Sequence, residues 1–319
     1  MIKIYQITED CNKDTIKNSL EGEFEYFYLP CKSEEGIIQK CRDADVLISI
    51  YEPITKKVMD ELKNLKYIAL GSIGYNMVDA EYAARKNILL SNNPAYCIEE
   101  VADHTMALIL NLLRRISIFN KSVKEDKIWD YNLLGNSLRR ISSLKAGIIG
   151  FGSIGRLLAK RLKAFDSTVY AYDPYVADEV FKSAGVLKAN LEDIEKNCDI
   201  ISIHLPLLEE TYNIIDRDFL NKLEKKPILI NCSRGGLIDQ EDLEEALEKN
   251  LITGLGLDVL ADENPDLASL KFLKNENLII TPHVAFYSRE SIEEADSNVG
   301  KYISSFMKND FKNIPLIGK

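Results

Sequence analysis

Short apolar runs recur along the chain, separated by segments in which apolar residues return every three or four positions. The first set of strand-like runs falls at 2–7, 24–29, 46–50, 67–72 and 88–91, with helical segments near 12–20, 34–42, 55–64 and 79–87. Such runs read as strands buried on both faces, and their alternation with helices reads as a parallel sheet. A long helix is predicted over 98–119. It opens with Glu99, Glu100 and Asp103 and closes with Arg114 and Arg115, charges that complement the helix dipole. A polar segment, 120–143, leads into a second set of strands at 145–149, 167–172, 199–204, 227–232, 252–258 and 278–281. A final helix is predicted over 288–307. Two strand sets in 319 residues need two cores. The predicted fold class is therefore α/β, with two doubly wound parallel sheets. The first domain is discontinuous, 1–98 with 288–319, and the second spans 99–287.

The segment 147–155, Gly-Ile-Ile-Gly-Phe-Gly-Ser-Ile-Gly, carries the most specific signal. A buried strand runs into Gly150, Gly152 and Gly155, a G-x-G-x-x-G turn, and a helix follows with Leu157, Leu158 and Leu162 on one side. Gly150 permits the tight turn, Gly152 lets a pyrophosphate approach the backbone, and Gly155 lets the helix lie close to the strand. The helix N-terminus supplies unpaired N–H groups to the phosphates. The next strand ends in Asp173, 18 residues after Gly155. A carboxylate there accepts hydrogen bonds from the adenosine ribose and repels a 2′-phosphate. No Lys or Arg follows before Lys182. The expected cofactor is NAD(H), not NADP(H).

Composition narrows the classes. Apolar residues make up 46% and charged residues 28%, as in ordinary globular proteins. A net charge of -10 argues against nucleic acid as a partner. No apolar run reaches the roughly 18 residues of a membrane span, and the amino terminus lacks the apolar core of a signal peptide. The six cysteines, 11, 31, 41, 97, 198 and 232, form no C-x-x-C pair and no metal-ligand spacing with histidine. The expectation is a reduced, cytoplasmic protein without metal.

Three histidines are present. His283 follows the strand 278–281 and His204 ends the strand 199–204, both at the carboxyl edge where doubly wound sheets bind ligands. His104 lies within the long helix and reads first as a packing residue. Arg234, in Asn231-Cys-Ser-Arg-Gly-Gly236, follows another strand. Its guanidinium fork suits two-point recognition of a carboxylate. Asp258 ends a further strand, and Glu263 follows it. A carboxylate beside a histidine favours the imidazolium, although spacing alone does not choose between Glu263 and its neighbour Asp262.

In order and spacing these segments resemble the D-isomer-specific 2-hydroxyacid dehydrogenase family over essentially the whole chain. The matching stretches are 71–79, 96–105, 150–155, 173–175, 233–236, 256–259, 263–265 and 281–283. Within the family, 96–105 and 173–175 resemble the branch of the C-terminal-binding proteins, and 283–287 resembles the D-lactate dehydrogenases. Gly71 departs from lactate-type members, where an arginine is expected. The resemblance implies a Rossmann NAD-binding domain inserted in a flavodoxin-like substrate domain. It implies Arg234, Glu263 and His283 as the catalytic set, and Asp258 as the holder of the nicotinamide amide. It extends the cofactor set to Thr105, Ser153, Ile154, Tyr175, His204, Pro206, Thr211, Cys232 and Ser233. The substrate is expected at the backbone N–H groups of Ser72, Ile73 and Gly74 and at Arg234, with Tyr96, Phe286 and Tyr287 as apolar walls.

The implied reaction is hydride transfer between NADH and a small 2-keto acid. The implied assembly is a homodimer, with 120–143 as an exchanged arm. Two alternatives stand beside this. A D-3-phosphoglycerate dehydrogenase would need a cation for the phosphate, and 71–76 offers none. An NAD(H)-sensing co-repressor-like protein shares the same fold.

Overall fold

The structure, a computed structural model, describes residues 1–262 and 265–318. The chain divides into two compact units, Met1–Cys97 with Tyr287–Lys319, and Ile98–Phe286.

In the first unit the strands are β1 (Ile2–Gln6), β2 (Phe24–Tyr28), β3 (Val46–Ser49), β4 (Tyr67–Leu70) and β5 (Leu89–Ser91). All pairings are parallel, in the order β2-β1-β3-β4-β5. Alternate side chains divide between two cores, as the period-two geometry of strands requires. Tyr5, Ile7, Leu47, Ile68, Leu70 and Leu90 pack with Ile37, Val58 and Leu62. On the opposite face Ile4, Val46, Ile48, Tyr67 and Ala69 pack with Val299 and Ile303 of the last helix, Arg289–Met307. Ser288 caps that helix by accepting the backbone N–H of Ser291.

In the second unit the strands are β6 (Lys145–Ile149), β7 (Thr168–Tyr172), β8 (Leu187–Lys188), β9 (Ile200–Ile203), β10 (Ile228–Asn231), β11 (Gly254–Leu257) and β12 (Leu278–Ile280). They too are parallel, in the order β12-β11-β10-β9-β6-β7-β8. This reverses at β6/β9, the switch point at which such sheets bind dinucleotides. One face packs Ile149, Ile201, Ile203, Leu229, Leu255 and Leu257 against Phe219, Leu243 and Leu247.

The structure departs from the pattern-based expectation in two places. The long helix ends at Arg114, and a separate helix, Ile116–Lys121, follows. Arg115 between them is left-handed, φ 53°, which ends the first helix. Its guanidinium donates to Asn277 Oδ1 at 2.7 Å and to the Thr253 carbonyl at 2.9 Å, and Asn111 Oδ1 accepts the Ser117 N–H at 3.0 Å. Both partners of Arg115 lie far along the chain, so local periodicity carried no sign of the break. The rest of the polar segment, 122–143, contains only short turns. The two-residue strand β8 was too short and too polar to register as a run.

All six cysteines are buried. Among the described residues no helix is long and apolar enough to cross a membrane.

Candidate active site

The glycine turn is built by close backbone approach. Gly150 has φ +99°, and a Cβ there would lie 2.4 Å from the His204 carbonyl oxygen. A Cβ on Gly155 would lie 2.2 Å from the Gly150 carbonyl oxygen. Neither position admits any side chain. Gly152 differs: a Cβ there would meet nothing within 4 Å, and as N-cap of the helix Ser153–Ala164 it makes no side-chain capping bond. The helix therefore begins with unpaired N–H groups beside open space, which fits a pyrophosphate. Ser153 and Ile154 form the first turn.

Asp173 ends up beside this turn for a specific reason. Its Oδ2 accepts the Phe151 N–H at 2.9 Å and its Oδ1 accepts the Tyr175 N–H at 3.0 Å. The carboxylate is clamped at the end of β7, with lone pairs remaining for ribose hydroxyls. Tyr175 reaches outward, and its hydroxyl donates to Glu210 at 3.0 Å. Thr211 holds the 206–211 segment, donating to the Pro206 carbonyl at 2.6 Å and accepting the Leu208 N–H at 2.8 Å.

His204 sits at the end of β9. Its Nε2 shares a hydrogen bond with Ser202 Oγ at 2.8 Å, and its Nδ1 is buried without a partner. Burial lowers its pKa from 6.5 to about 4, because charge in an enclosed site is unfavourable. Between those values the unfolded chain takes up a proton that the folded chain refuses. Stability is thus fully present above about pH 6.5 and declines as pH falls toward 4. Urea midpoints measured across this window should fall more steeply in the native chain than in His204→Asn. Parallel curves would contradict this assignment.

Three adjacent strands, β10, β11 and β12, bring the remaining chemistry to one edge of the sheet. After β10, Asn231 shapes the turn. Its amide donates to the Arg234 carbonyl at 2.9 Å and its Oδ1 accepts the Ser233 N–H at 3.0 Å. Ser233 Oγ donates to the Ile203 carbonyl at 2.7 Å, and Arg234 is half-buried, with Nη1 donating to the Ser233 carbonyl at 2.7 Å. Gly235 follows Arg234 in the turn. A Cβ there would lie 2.0 Å from the Leu260 carbonyl carbon, so it is a site of backbone contact.

After β11, Asp258 is 1% exposed. Its Oδ1 accepts the Thr281 hydroxyl at 2.5 Å and the Val284 N–H at 2.9 Å, and its Oδ2 accepts the Ala285 N–H at 2.9 Å. The carboxylate thus ties down the turn after β12. Within that turn His283 has φ +52°, and its N–H donates to the Asp258 carbonyl at 2.7 Å. A histidine held left-handed is a strained backbone that the surroundings must impose. The Phe286 ring stands edge-on to the imidazole, centroids 6.0 Å apart. Asp258, Thr281 and His283 border a cavity of about 540 Å³.

Other expectations fare differently. Glu263 lies outside the described residues. Thr105 is fully enclosed, its hydroxyl donating to the Val101 carbonyl at 2.7 Å, and Cys232 is also buried, with burial pushing its thiol up to about 12. These two pack the helix against the end of β10, Thr105 fully enclosed and Cys232 7% exposed. Asp258, expected at the nicotinamide amide, also ties down the turn after β12 and borders the cavity. The structural roles of Asn231, Thr281 and His104 were missed, since each depends on a partner brought in by the sheet.

In the first unit, the loop after β4 has its three carbonyls taken. Ser72 O accepts the Asn93 N–H at 2.9 Å, Ile73 O accepts the Asn92 amide at 2.8 Å, and Gly74 O accepts the Ser72 hydroxyl at 2.8 Å. Tyr96 is half-buried, and Tyr287 is largely exposed.

Comparison with known proteins agrees with this geometry. Residues 106–285 match the family model described as D-isomer specific 2-hydroxyacid dehydrogenase, NAD binding domain. The chain is 34% identical to a D-3-phosphoglycerate dehydrogenase of Methanocaldococcus jannaschii, over 97% of this chain and 58% of that protein. It therefore spans little more than half of that relative's length. It is 32% identical to a glyoxylate reductase of Korarchaeum cryptofilum, over 87% of this chain and 84% of the relative. A crystal structure of the D-lactate dehydrogenase of Aquifex aeolicus, complexed with NAD and lactic acid, superposes with a TM-score of 0.85, at 28% identity and 99% coverage of each chain. The glycine turn, the clamped Asp173 and the parallel sheet that carries them agree with the matched NAD-binding domain, and the chain belongs to the D-isomer-specific 2-hydroxyacid dehydrogenase family of oxidoreductases.

Proposed function

We propose that this chain reduces small, unphosphorylated 2-keto acids to D-2-hydroxy acids, reversibly and with NAD(H). The observation that carries the reading is the Asp258-anchored turn holding His283 at the carboxyl end of β12, two strands from the Arg234 turn. Bound nicotinamide supplies or accepts the hydride. Arg234 grips the substrate carboxylate and polarises the ketone with its donor fork. His283, as imidazolium, gives a proton to the forming alkoxide oxygen and takes it back in the reverse direction. Glu263 holds the imidazolium charge. The backbone N–H groups of Ser72, Ile73 and Gly74 serve as further donors for the carboxylate, and Tyr96, Phe286 and Tyr287 are the apolar residues for the substrate side chain. Asp173 binds the ribose, with Gly150, Gly152, Ser153, Ile154 and Gly155 at the pyrophosphate, and Tyr175, His204, Pro206, Thr211 and Ser233 lining the cofactor.

The test is NADH oxidation with glyoxylate, pyruvate, hydroxypyruvate, branched and aromatic keto acids and phosphohydroxypyruvate, with chiral analysis of products. A graded series is expected, since each methylene changes discrimination by only about 1–3 kcal/mol. An L product, or activity confined to phosphohydroxypyruvate, would overturn the reading. Absence of turnover with every acid would favour a nucleotide-sensing role.

Asp173→Ala should raise the KM for NADH about tenfold, equivalent to about 1.4 kcal/mol, and narrow the preference over NADPH. Equal use of NADPH by the unmodified chain would remove the basis for this role.

We also propose a homodimer built on the 120–143 segment. Trp129 is 89% exposed and Tyr131 95%, with Val123 and Ile128 exposed nearby. Aromatic side chains so placed mark an interaction surface. Sedimentation should give a dimer that dissociates in Trp129→Ser/Tyr131→Ser. A monomeric unmodified chain would dispose of the proposal.

A further inference from the structure

His104 occupies a defined place above the second sheet. The helix Ile98–Arg114 presents Leu112, Leu108 and His104 on one stripe, four residues apart. β11 presents Gly254, Gly256 and then Asp258 on one face, two residues apart. The two patterns match position by position. A Cβ on Gly254 would lie 3.3 Å from Leu112 Cδ2, and a Cβ on Gly256 would lie 3.3 Å from Leu108 Cβ. The two glycines let the helix lie close on the strand. The next position of each stripe brings His104 Nε2 to 3.7 Å from Asp258 Oδ1 and to 2.9 Å from Thr281 Oγ1.

The hydrogen bonds in this cluster have only one consistent direction. The Thr281 hydroxyl has a single proton, and it goes to Asp258 Oδ1 at 2.5 Å. Thr281 Oγ1 must therefore accept from His104, which fixes the tautomer with the proton on Nε2. The chain of donors runs from the helix through Thr281 to Asp258. Asp258 in turn receives the N–H groups of Val284 and Ala285, the two residues after the left-handed His283. A partly buried network of this kind orients its members when each is satisfied.

We infer that His104 is a positioning residue, which holds the turn of His283 through Thr281 and Asp258. The inference deepens the proposed function and rests on His283 as the proton donor there. His104 needs no charge for this role, only an N–H at the right reach. Glutamine supplies one. Leucine fills similar space without one, and asparagine stops short of Thr281.

The experiment combines steady-state reduction of pyruvate by NADH with amide exchange of the 281–286 segment in the full chain. His104→Leu should lower kcat roughly ten- to a hundredfold, the scale of a misplaced reacting group. Its KM for NADH should stay near the native value, and exchange should accelerate in 281–286 but not in β11. His104→Gln should stay within a few-fold of native in both readouts. Should the leucine variant not fold, His104→Asn carries the same expectation. Native kcat and native exchange in these variants would overturn the inference, as would a glutamine variant as impaired as leucine. His283→Ala separates the two readings. If it turns over normally, the proton-donor role fails, and the exchange of 281–286 still decides whether His104 holds the turn.

Discussion

Replacing His283 by alanine is expected to lower kcat by two or more orders of magnitude, within the roughly 10²–10⁴ contributed by a positioned general acid. The KM for keto acid should change little, because the carboxylate grip resides elsewhere. Alanine also loses the ring contact with Phe286 and sits poorly at φ +52°. His283→Asn answers that objection, since asparagine tolerates the left-handed region and lacks an imidazolium. It should melt near the native temperature and be as inactive as alanine. Normal turnover in either variant, with NADH and pyruvate at saturation, would sink the mechanism.

The second large effect concerns two glycines three residues apart. Gly155→Ala places a Cβ 2.2 Å from the Gly150 carbonyl oxygen and 3.2 Å from Ile148 Cγ2. Backbone cannot rotate aside as a side chain can, so the helix Ser153–Ala164 must lift from β6. Overpacking of this sort costs about 1–3 kcal/mol or more, and the displaced turn should lose NADH affinity as well. Gly152→Ala should separate these consequences. Its Cβ meets nothing in the protein, so thermal stability should be native while NADH binding weakens, because the methyl occupies the space offered to the pyrophosphate. Melting curves and NADH fluorescence titration of the two variants decide the matter. A native melting temperature for Gly155→Ala, or native affinity for Gly152→Ala, would contradict the reading of this turn.

Much of this was legible in the chain because it is periodic or short-range. Parallel strands buried on both faces need uninterrupted apolar runs, and among the described residues those runs located eleven of twelve strands to within two residues at either end. The widest misses fall at the end of β4 and the start of β11, and β8 has no such run. The glycine spacing foretold a turn whose clearances of 2.4 and 2.2 Å leave no alternative residue. Asp173 was found from its distance along the chain, but its clamping by the N–H groups of Phe151 and Tyr175 was not. The helix break at Arg115 was missed because its cause lies at Thr253 and Asn277.

By itself, then, the sequence determined the two parallel α/β sheets, the dinucleotide turn and the strand ends that carry Arg234, Asp258 and His283. Each follows from spacing within a few residues or within one strand–turn–helix unit. Only the tertiary structure decided which polar groups meet. Asp258, expected at a ligand, also anchors a turn 26 and 27 residues away. Thr105 is enclosed against β10, and His104, read first as packing, meets Thr281 across 177 residues. The physical reason is that a buried polar atom must find a partner wherever sheet order brings one within about 3 Å, and sheet order is set by how whole strands and helices pack, not by distance along the chain.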